Sequence, residues 1–232
     1  MSKRCIPYTP RFRELKESIF ALVTTTGVHL REQVPYVEDD NTWRVIPGEV
    51  RPEDLMITHG HYDQRDADRD INCVFPIERL RELAAERIIG GVGEKHVGFG
   101  FTQNLRDLYE RTAPALAKEL LHSKADGVII SGGCPLCHRV AVALQREIEM
   151  TGIPTIIVTV EPESTRQAGP PRAIHPVGFR QGNSFGGPDQ PALQRRVLLD
   201  ALRRWEAREE PGQIWELTYP EYAASPLTAD AS

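Results

Sequence analysis

The sequence predicts an α/β fold: a mainly parallel sheet flanked by helices, with an N-terminal β-hairpin addition. Two observations carry this. Short apolar, β-branched runs such as GVIIS (127–131) and TIIVTV (155–160) alternate with segments of helical periodicity. Runs of that composition suit strands covered on both faces, as in parallel sheets. Between them, Leu136 to Met150 reads as a helix that stops at Thr151-Gly152-Ile153-Pro154, a glycine C-cap followed by proline. Residues 127–160 therefore form one βαβ unit, expected to cross over right-handed.

The remaining elements follow in order. Residues 11–22 read as a helix with Phe12, Leu15, Ile19 and Leu22 on one face. ALVTTTGVHL and NTWRVIP read as a hairpin joined by an acidic loop through Asp39 and Asp40. LMITH reads as a short strand ending at His59, and the polar stretch HGHYDQRDADRDINCVFP as a loop. Pro76 then opens a helix, PIERLRELAAER. The glycines of GGVGEKHVGFGF mark a strand with close backbone contacts. Leu105 to Ser123 reads as a long helix bent at Pro114. Glu161 to Gln190 is Pro/Gly-rich and long for a structureless loop, a length associated with function. A helix from Pro191 to Arg208 is the last clear element. The chain reads as one domain, 1–232, with residues 1–50 as a helix/hairpin extension and 51–210 as the α/β core.

Composition narrows the function. The 232 residues are 40% hydrophobic and 26% charged, enough for an ordinary core. The net charge of -5 is evenly spread and leaves no basic footprint for nucleic acid or an anionic membrane. No apolar run has the length of a membrane span, and no export segment is seen, so a cytoplasmic location with reduced thiols is expected. Four cysteines, Cys5, Cys73, Cys134 and Cys137, are too few for a disulfide framework.

CPLCH carries the chemistry. Ser131-Gly132-Gly133 lets the chain turn out of its strand, at the carboxyl edge where α/β sheets place their sites. Pro135 suits the first helical position, so Cys134 falls at or near the N-cap and Cys137 on the same side of the first turn. Free backbone N–H groups and the helix dipole lower a thiol pKa there. The spacing also allows a disulfide, giving a nucleophile with a resolving partner. The same spelling fits half a zinc site, which needs further ligands such as His59, His61, His96 or Cys73. It also fits haem attachment, although that occurs outside the cytoplasm. Two small core residues are the bland alternative.

A second constellation lies in THGHYDQRDADRDINCVFP, which follows a strand. H-x-H-x-D also opens a metallo-β-lactamase-type metal site, but Gln64 stands where the next histidine is needed. His59, His61, Asp63 and Asn72 can instead face the cysteines across the sheet edge, for proton transfer or substrate binding. His138 follows the pair directly but points about 100° away on a helix, so it tunes the local field. His29 and His122 read as ordinary; His96 and His175 are lone histidines, a kind more often structural than catalytic.

Taken together, THGHYDQRDADRDINCVFPIERLREL, GGVGEKHVGFGF, DGVIISGGCPLC, GIPTIIVTVEPES and IHPVGFRQGNSFGGPDQPALQRRVLLDAL resemble the glycine/sarcosine/betaine/D-proline reductase selenoprotein B family, in its D-proline reductase small-subunit-like branch. The resemblance runs from about Thr58 onward. It implies that Cys134 stands where selenocysteine is typical and that Cys137 is its partner. It implies reductive cleavage of a carbon–nitrogen bond at an α-carbon, with the substrate amine activated by a pyruvoyl group on a different subunit. Val140 stands where glycine-reductase-type members carry a third cysteine. The sequence-level expectation is a thiol-dependent reductase with Cys134 as nucleophile, Cys137 as resolving thiol, and His61 or His59 supplying protons. Asp63, Asn72, His96, Ser131, Gly132, Gly133 and His138 are expected to bind substrate. No tightly bound cofactor or metal is expected. The expected partners are a small-molecule substrate, a dithiol or thioredoxin-like reductant, a pyruvoyl-bearing subunit and further copies in a homo-oligomer. A non-catalytic metal-binding or redox-sensing subunit is the alternative.

Overall fold

The computed structural model describes residues 5–222. Its strands are β1 (Ile19–Thr25), β2 (Val28–Leu30), β3 (Trp43–Pro47), β4 (Leu55–Ile57), β5 (Gly91–Val92), β6 (Lys95–Phe99), β7 (Gly127–Gly132), β8 (Thr155–Val158), β9 (Ala173–Pro176) and β10 (Ile214–Leu217). Eight of them form one sheet in the order β10-β9-β8-β7-β1-β6-β3, with β5 pairing the start of β1. Every pairing in it is parallel except β3 with β6. β2 and β4 make a separate two-stranded antiparallel sheet.

The helices are α1 (Arg65–Arg69), α2 (Ile77–Ala85), α3 (Leu105–Asp107), α4 (Ala113–Leu121), α5 (Pro135–Met150), α6 (Pro162–Ala168) and α7 (Pro191–Glu206). They cover the sheet on both faces. Phe20 and Leu22 of β1 and Ile129 of β7 join α2 and α7 in one core; Ala21, Val23, Val128 and Ile130 join α4 and α5 in the other. This alternation is the period of two that a strand imposes. The predicted α/β class, mainly parallel with helices on both sides, is the observed one. Among the described residues, no helix is long and apolar enough to cross a membrane.

The amino-terminal reading needs correction. Only Leu15–Glu17 of the expected helix over 11–22 is helical, as a single 3-10 turn, and Phe12 is 80% exposed. The run Ile19–Thr25 is instead β1, buried along nearly its whole length between β7 and β6. A strand covered on both faces has no alternation, so its apolar spacing imitates a helix. The strands of the hairpin addition differ from those expected, because β1 leaves at Gly27 (φ 79°) without pairing with β3. The antiparallel addition is β2 with β4, and β3 closes the sheet edge against β6. The polar stretch after His59 holds α1, and the Pro/Gly-rich stretch holds α6 and β9; β10 had no sequence signal. At Pro114 the helix continues, but a π-helical turn at Leu108–Thr112 precedes it. Proline cannot donate to the preceding turn, and the wider turn absorbs the gap.

β1 sits where the chain switches direction across the sheet, with β6 on one side and β7 on the other. At such a point the connections diverge and open a crevice beyond the carboxyl ends of the strands. His96 laces this centre. β1 pairs β5 at Phe20 and β6 at Val23, so the Leu22 N–H falls between them and donates to His96 Nδ1 at 2.9 Å.

The opposite end of the sheet is fastened by charge. Arg172 Nη1 donates to Glu149 Oε1 at 2.6 Å, with both side chains buried. That carboxylate also accepts from Thr155 N and Oγ1 at 2.8 and 2.7 Å. Glu149→Ala would leave the buried guanidinium uncompensated. Urea denaturation should show a loss of about 3–5 kcal/mol.

Candidate active site

The strand β7 runs out at Gly132, and the chain turns through Gly133 into α5. Both glycines are required by packing. A Cβ on Gly132 would lie 2.9 Å from the His138 ring, and one on Gly133 would lie 2.7 Å from the Tyr62 ring. Cys134 is the N-cap of α5 in extended conformation, Pro135 occupies the first turn, and Cys134 Sγ accepts the Cys137 N–H at 3.2 Å. The capping acceptor is therefore a sulfur, set at the positive end of a 16-residue helix.

Cys134 and Cys137 are joined as a disulfide with a Cα–Cα separation of 4.9 Å. They are 4% and 0% exposed and pack with Phe101, Tyr62 and Leu136 in a small core of their own. Thr25, at the end of β1, donates Oγ1 to the Cys137 carbonyl at 3.0 Å and so ties the first turn of α5 to the central strand.

His59 comes from the end of β4, with Nε2 at 3.1 Å from Cys137 Sγ. Its Nδ1 accepts the His61 backbone N–H at 3.1 Å. That bond assigns the tautomer: Nε2 carries the hydrogen and donates it toward sulfur. Burial, helped by the neighbouring His61, lowers the His59 pKa to about 4. His59 Nε2 and the two sulfurs lie within 4.8 Å of one another, a donor set that a metal ion could use. A metal on Nε2 would need that nitrogen bare, with the proton moved to Nδ1 against the His61 N–H. The observed bonding suits proton donation.

His61 lies at the mouth. It is exposed, its Nε2 meets Glu38 Oε1 at 2.9 Å, and its ring stacks on Phe101 with centroids 3.9 Å apart. Together with His59, Thr58, Tyr36 and Gln64, these residues line a cavity of about 400 Å³; neither cysteine lines it, and His59 and Phe101 stand between it and the disulfide.

The other residues expected to bind substrate have different neighbours. Asp63 holds Arg65, accepting from its Nε at 2.9 Å, and that contact lowers its pKa to about 2. Asn72 accepts the Glu78 N–H at 3.1 Å and fastens the start of α2. His96 is in the strand lacing, and Ser131 Oγ donates to the Val74 carbonyl at 2.7 Å. None of these four lines the cavity. His138, buried and neutral, bonds the Cys134 carbonyl through Nδ1 at 2.8 Å and accepts the Val160 N–H at 3.3 Å. Burial lowers its pKa to about 4.

Sequence reading missed Tyr62, Phe101, Thr25 and Gln64. Tyr62 donates its hydroxyl to the Thr26 carbonyl at 2.9 Å while its ring faces His59 and Gly133. Gln64 had signified only the absence of a metal-binding histidine; its Oε1 is buried without a hydrogen-bond partner.

Fold and site define an α/β protein with a buried dithiol at a helix start and a histidine on one of its sulfurs. Residues 2–133 match the family described as glycine/sarcosine/betaine reductase selenoprotein B, and the chain belongs to that family. It is 39% identical to the D-proline reductase subunit gamma of Acetoanaerobium sticklandii, over 94% of this chain and 90% of the relative. It is 27% identical to the glycine reductase complex component B subunit gamma of Carboxydothermus hydrogenoformans, over 91% of this chain and 51% of the relative. It is 23% identical to the sarcosine reductase complex component B subunit beta of Peptoclostridium acidaminophilum, over 91% and 50%. The chain thus spans about half the length of the glycine and sarcosine reductase relatives. No solved structure matches it.

Two buried rings, His96 and His138, and the half-buried His59 have pKa values lowered to about 3, 4 and 4. Each stays neutral in the fold, and each takes up a proton on unfolding below about 6.5. Their stabilising effect is therefore whole at pH 7 and declines as pH falls from 6.5 toward 4. Urea midpoints between pH 6 and pH 5 should report a loss of up to about 4 kcal/mol per pH unit. His59→Asn should make that slope shallower by about 1.4 kcal/mol.

Proposed function

We propose that this chain is the dithiol-bearing subunit of a reductase that cleaves a carbon–nitrogen, or other carbon–heteroatom, bond at an α-carbon. The observation that carries the reading is the placement of His59 Nε2 on Cys137 Sγ, next to Cys134 at a helix start. Membership of a family whose relatives are reductase subunits supports it.

The chemistry begins with the reduced pair. Cys134 thiolate, held by the Cys137 N–H and the helix dipole, attacks the α-carbon. The carbon–nitrogen bond breaks, and its electron pair leaves with nitrogen, which takes one proton. Cys137 thiolate then attacks Cys134 Sγ. The carbon–sulfur bond breaks, its pair returns to carbon, and carbon takes the second proton. The substrate gains two electrons, the pair closes as a disulfide, and a cellular dithiol or thioredoxin-like reductant reopens it. The two protons come from the two thiols. His59 Nε2–H donates to the Cys137 sulfur at 3.1 Å and so stabilises the thiolate that closes the disulfide.

Gln64 lines the cavity, and its buried Oε1, without a hydrogen-bond partner among the described residues, is suited to accept a substrate N–H. Activation of the amine falls to a pyruvoyl group on a partner subunit. Sulfur in place of selenium makes Cys134 a weaker nucleophile, so the helix start carries more of the activation. The proposed setting is cytoplasmic, in a homo-oligomer or a complex with the partner.

Amine release in the presence of dithiothreitol and the partner subunit tests this, with D-proline, glycine, sarcosine and betaine as substrates. Cys134→Ser and Cys137→Ser should abolish turnover. His59→Ala should lower it by about 100-fold while Cys134 remains alkylatable. His61→Ala, at the exposed mouth, should cost less than about tenfold. Wild-type turnover by His59→Ala would reduce that ring to packing. Stoichiometric metal that resists chelation and blocks alkylation of the pair would favour a metal-binding subunit instead.

Cys134 should also alkylate fastest of the thiols after reduction. Cys73 is buried, and its surroundings raise its pKa, chiefly by burial. Cys5 is exposed and has no helix start beside it. A rate for Cys134 at pH 7 no greater than that for Cys5 would count against thiolate activation.

A further inference from the structure

The amino-terminal edge of the sheet, opposite the dithiol, carries a cluster of guanidinium groups that the proposed reaction does not use. Trp205 Nε1 donates to the Pro154 carbonyl at 3.0 Å, just before β8, and Arg172 immediately precedes β9. A cavity of about 500 Å³ opens there, walled by Tyr8, Arg11, Arg172 and Trp205. Arg204 adjoins it, with Nη1 3.6 Å from Glu209 at the rim.

Five buried guanidinium nitrogens in this cluster have no hydrogen-bond partner among the described residues: Nε of Arg11, Nε of Arg172, and Nε, Nη1 and Nη2 of Arg204. Arg204 is the extreme case. Its side chain is 0% exposed and makes no hydrogen bond; Glu209 lies beyond hydrogen-bond distance, and the Trp215 ring is 4.9 Å away. Arg172 is 1% exposed and is held by Glu149 and the Thr9 carbonyl, with its carbon 3.7 Å above the Tyr8 ring. Both groups are thus fixed in orientation by aromatic rings, and both keep donors unused.

A buried guanidinium without acceptors is a net cost to the fold. Met or Leu would fill the Arg204 position on α7 without that cost. An oxyanion supplies the acceptors that are missing, since its paired oxygens match the guanidinium fork. The rim bears on the class of ligand. Glu206, Glu209 and Glu210 line the same cavity, with Arg208 among them. Carboxylates at the mouth repel a ligand charged along its whole length and admit one with a single anionic end.

We infer that this cavity binds the oxyanion end of a small molecule, a carboxylate or a phosphate ester, through Arg172, Arg204 and Arg11. The oxyanion takes the place near Arg204 that Glu209 approaches only to 3.6 Å. The site lies at the other end of the sheet from Cys134 and does not depend on the reductase reading.

Calorimetric titration of the full chain with acetate and with inorganic phosphate, at constant ionic strength, tests the inference. Saturable binding of at least one probe is expected, and the tighter of the two identifies carboxylate or phosphate as the class. Arg204→Met should weaken that binding at least tenfold. The unliganded variant should melt no lower than wild type, because a buried guanidinium that makes no hydrogen bond has been removed. Absence of saturable binding to wild type by either probe would overturn the inference. So would equal binding by wild type and Arg204→Met, or a variant that melts lower by the same amount with and without the probe. Should Arg204→Met fail to fold, Arg11→Gln provides the second reading: binding weaker by at least threefold supports the site, and unchanged binding overturns it.

Discussion

The carbonyl of Cys134 is the point on which the dithiol site depends. A single neutral imidazole, His138, donates to it at 2.8 Å and accepts the Val160 N–H at 3.3 Å. One ring thereby fixes the end of β7, the first turn of α5 and the exit from β8. It occupies the space a Cβ on Gly132 would need, so the glycine and the histidine are one device. The charged form would turn a second donor against the Val160 N–H, and burial opposes that charge. With the carbonyl held, the Cys137 N–H aligns on Cys134 Sγ, and Cys137 meets His59. Second-layer contacts of this kind decide whether a reactive group is held or merely present.

How far the sequence could be read follows from this arrangement. The βαβ unit around CPLCH was legible because each signal was local: a β-branched run, a Gly-Gly turn, proline at the helix start, and a glycine cap at its end. β1 was legible only in its second half, within ALVTTTGVHL, because a strand buried on both faces loses the alternation that identifies strands. Ile19 and Leu22 fall three apart and fit a helical face equally well. β10 is short and half exposed, and only its parallel pairing with β9 makes it a strand.

The site divided in the same way. His59 and the two cysteines were legible as a proton carrier beside a thiol pair, since residue type carries that information. Which sulfur the ring touches was not, because it depends on the chain after β4 reaching the start of α5 from 78 residues away. Asp63 looked like a ligand and holds Arg65, a partner two residues along that an Asp at a helix start commonly finds. His138 read as a residue that tunes the local field and binds substrate from another face of its helix. Its bonds run to its own N-cap carbonyl and to another strand, and no helical wheel shows either.

Helix α5 joins the two chemically distinct edges of the sheet. Its 16 residues span about 24 Å. At its start, the unsatisfied N–H groups meet a sulfur that can become an anion. Near its end, Glu149 takes the Arg172 guanidinium into the interior, and the Thr155 N–H and hydroxyl complete the carboxylate. Both contacts agree in sign with the helix dipole, an anion at the amino end and a cation near the carboxyl end. The first suits a thiol that must cycle between protonated, bonded and anionic states. The second is a buried ion pair that, once formed, is costly to break from either side. A reactive pair on a helix start needs the rest of its helix immobile, and the Glu149–Arg172 pair supplies that anchor at the end where no chemistry is proposed for the thiols.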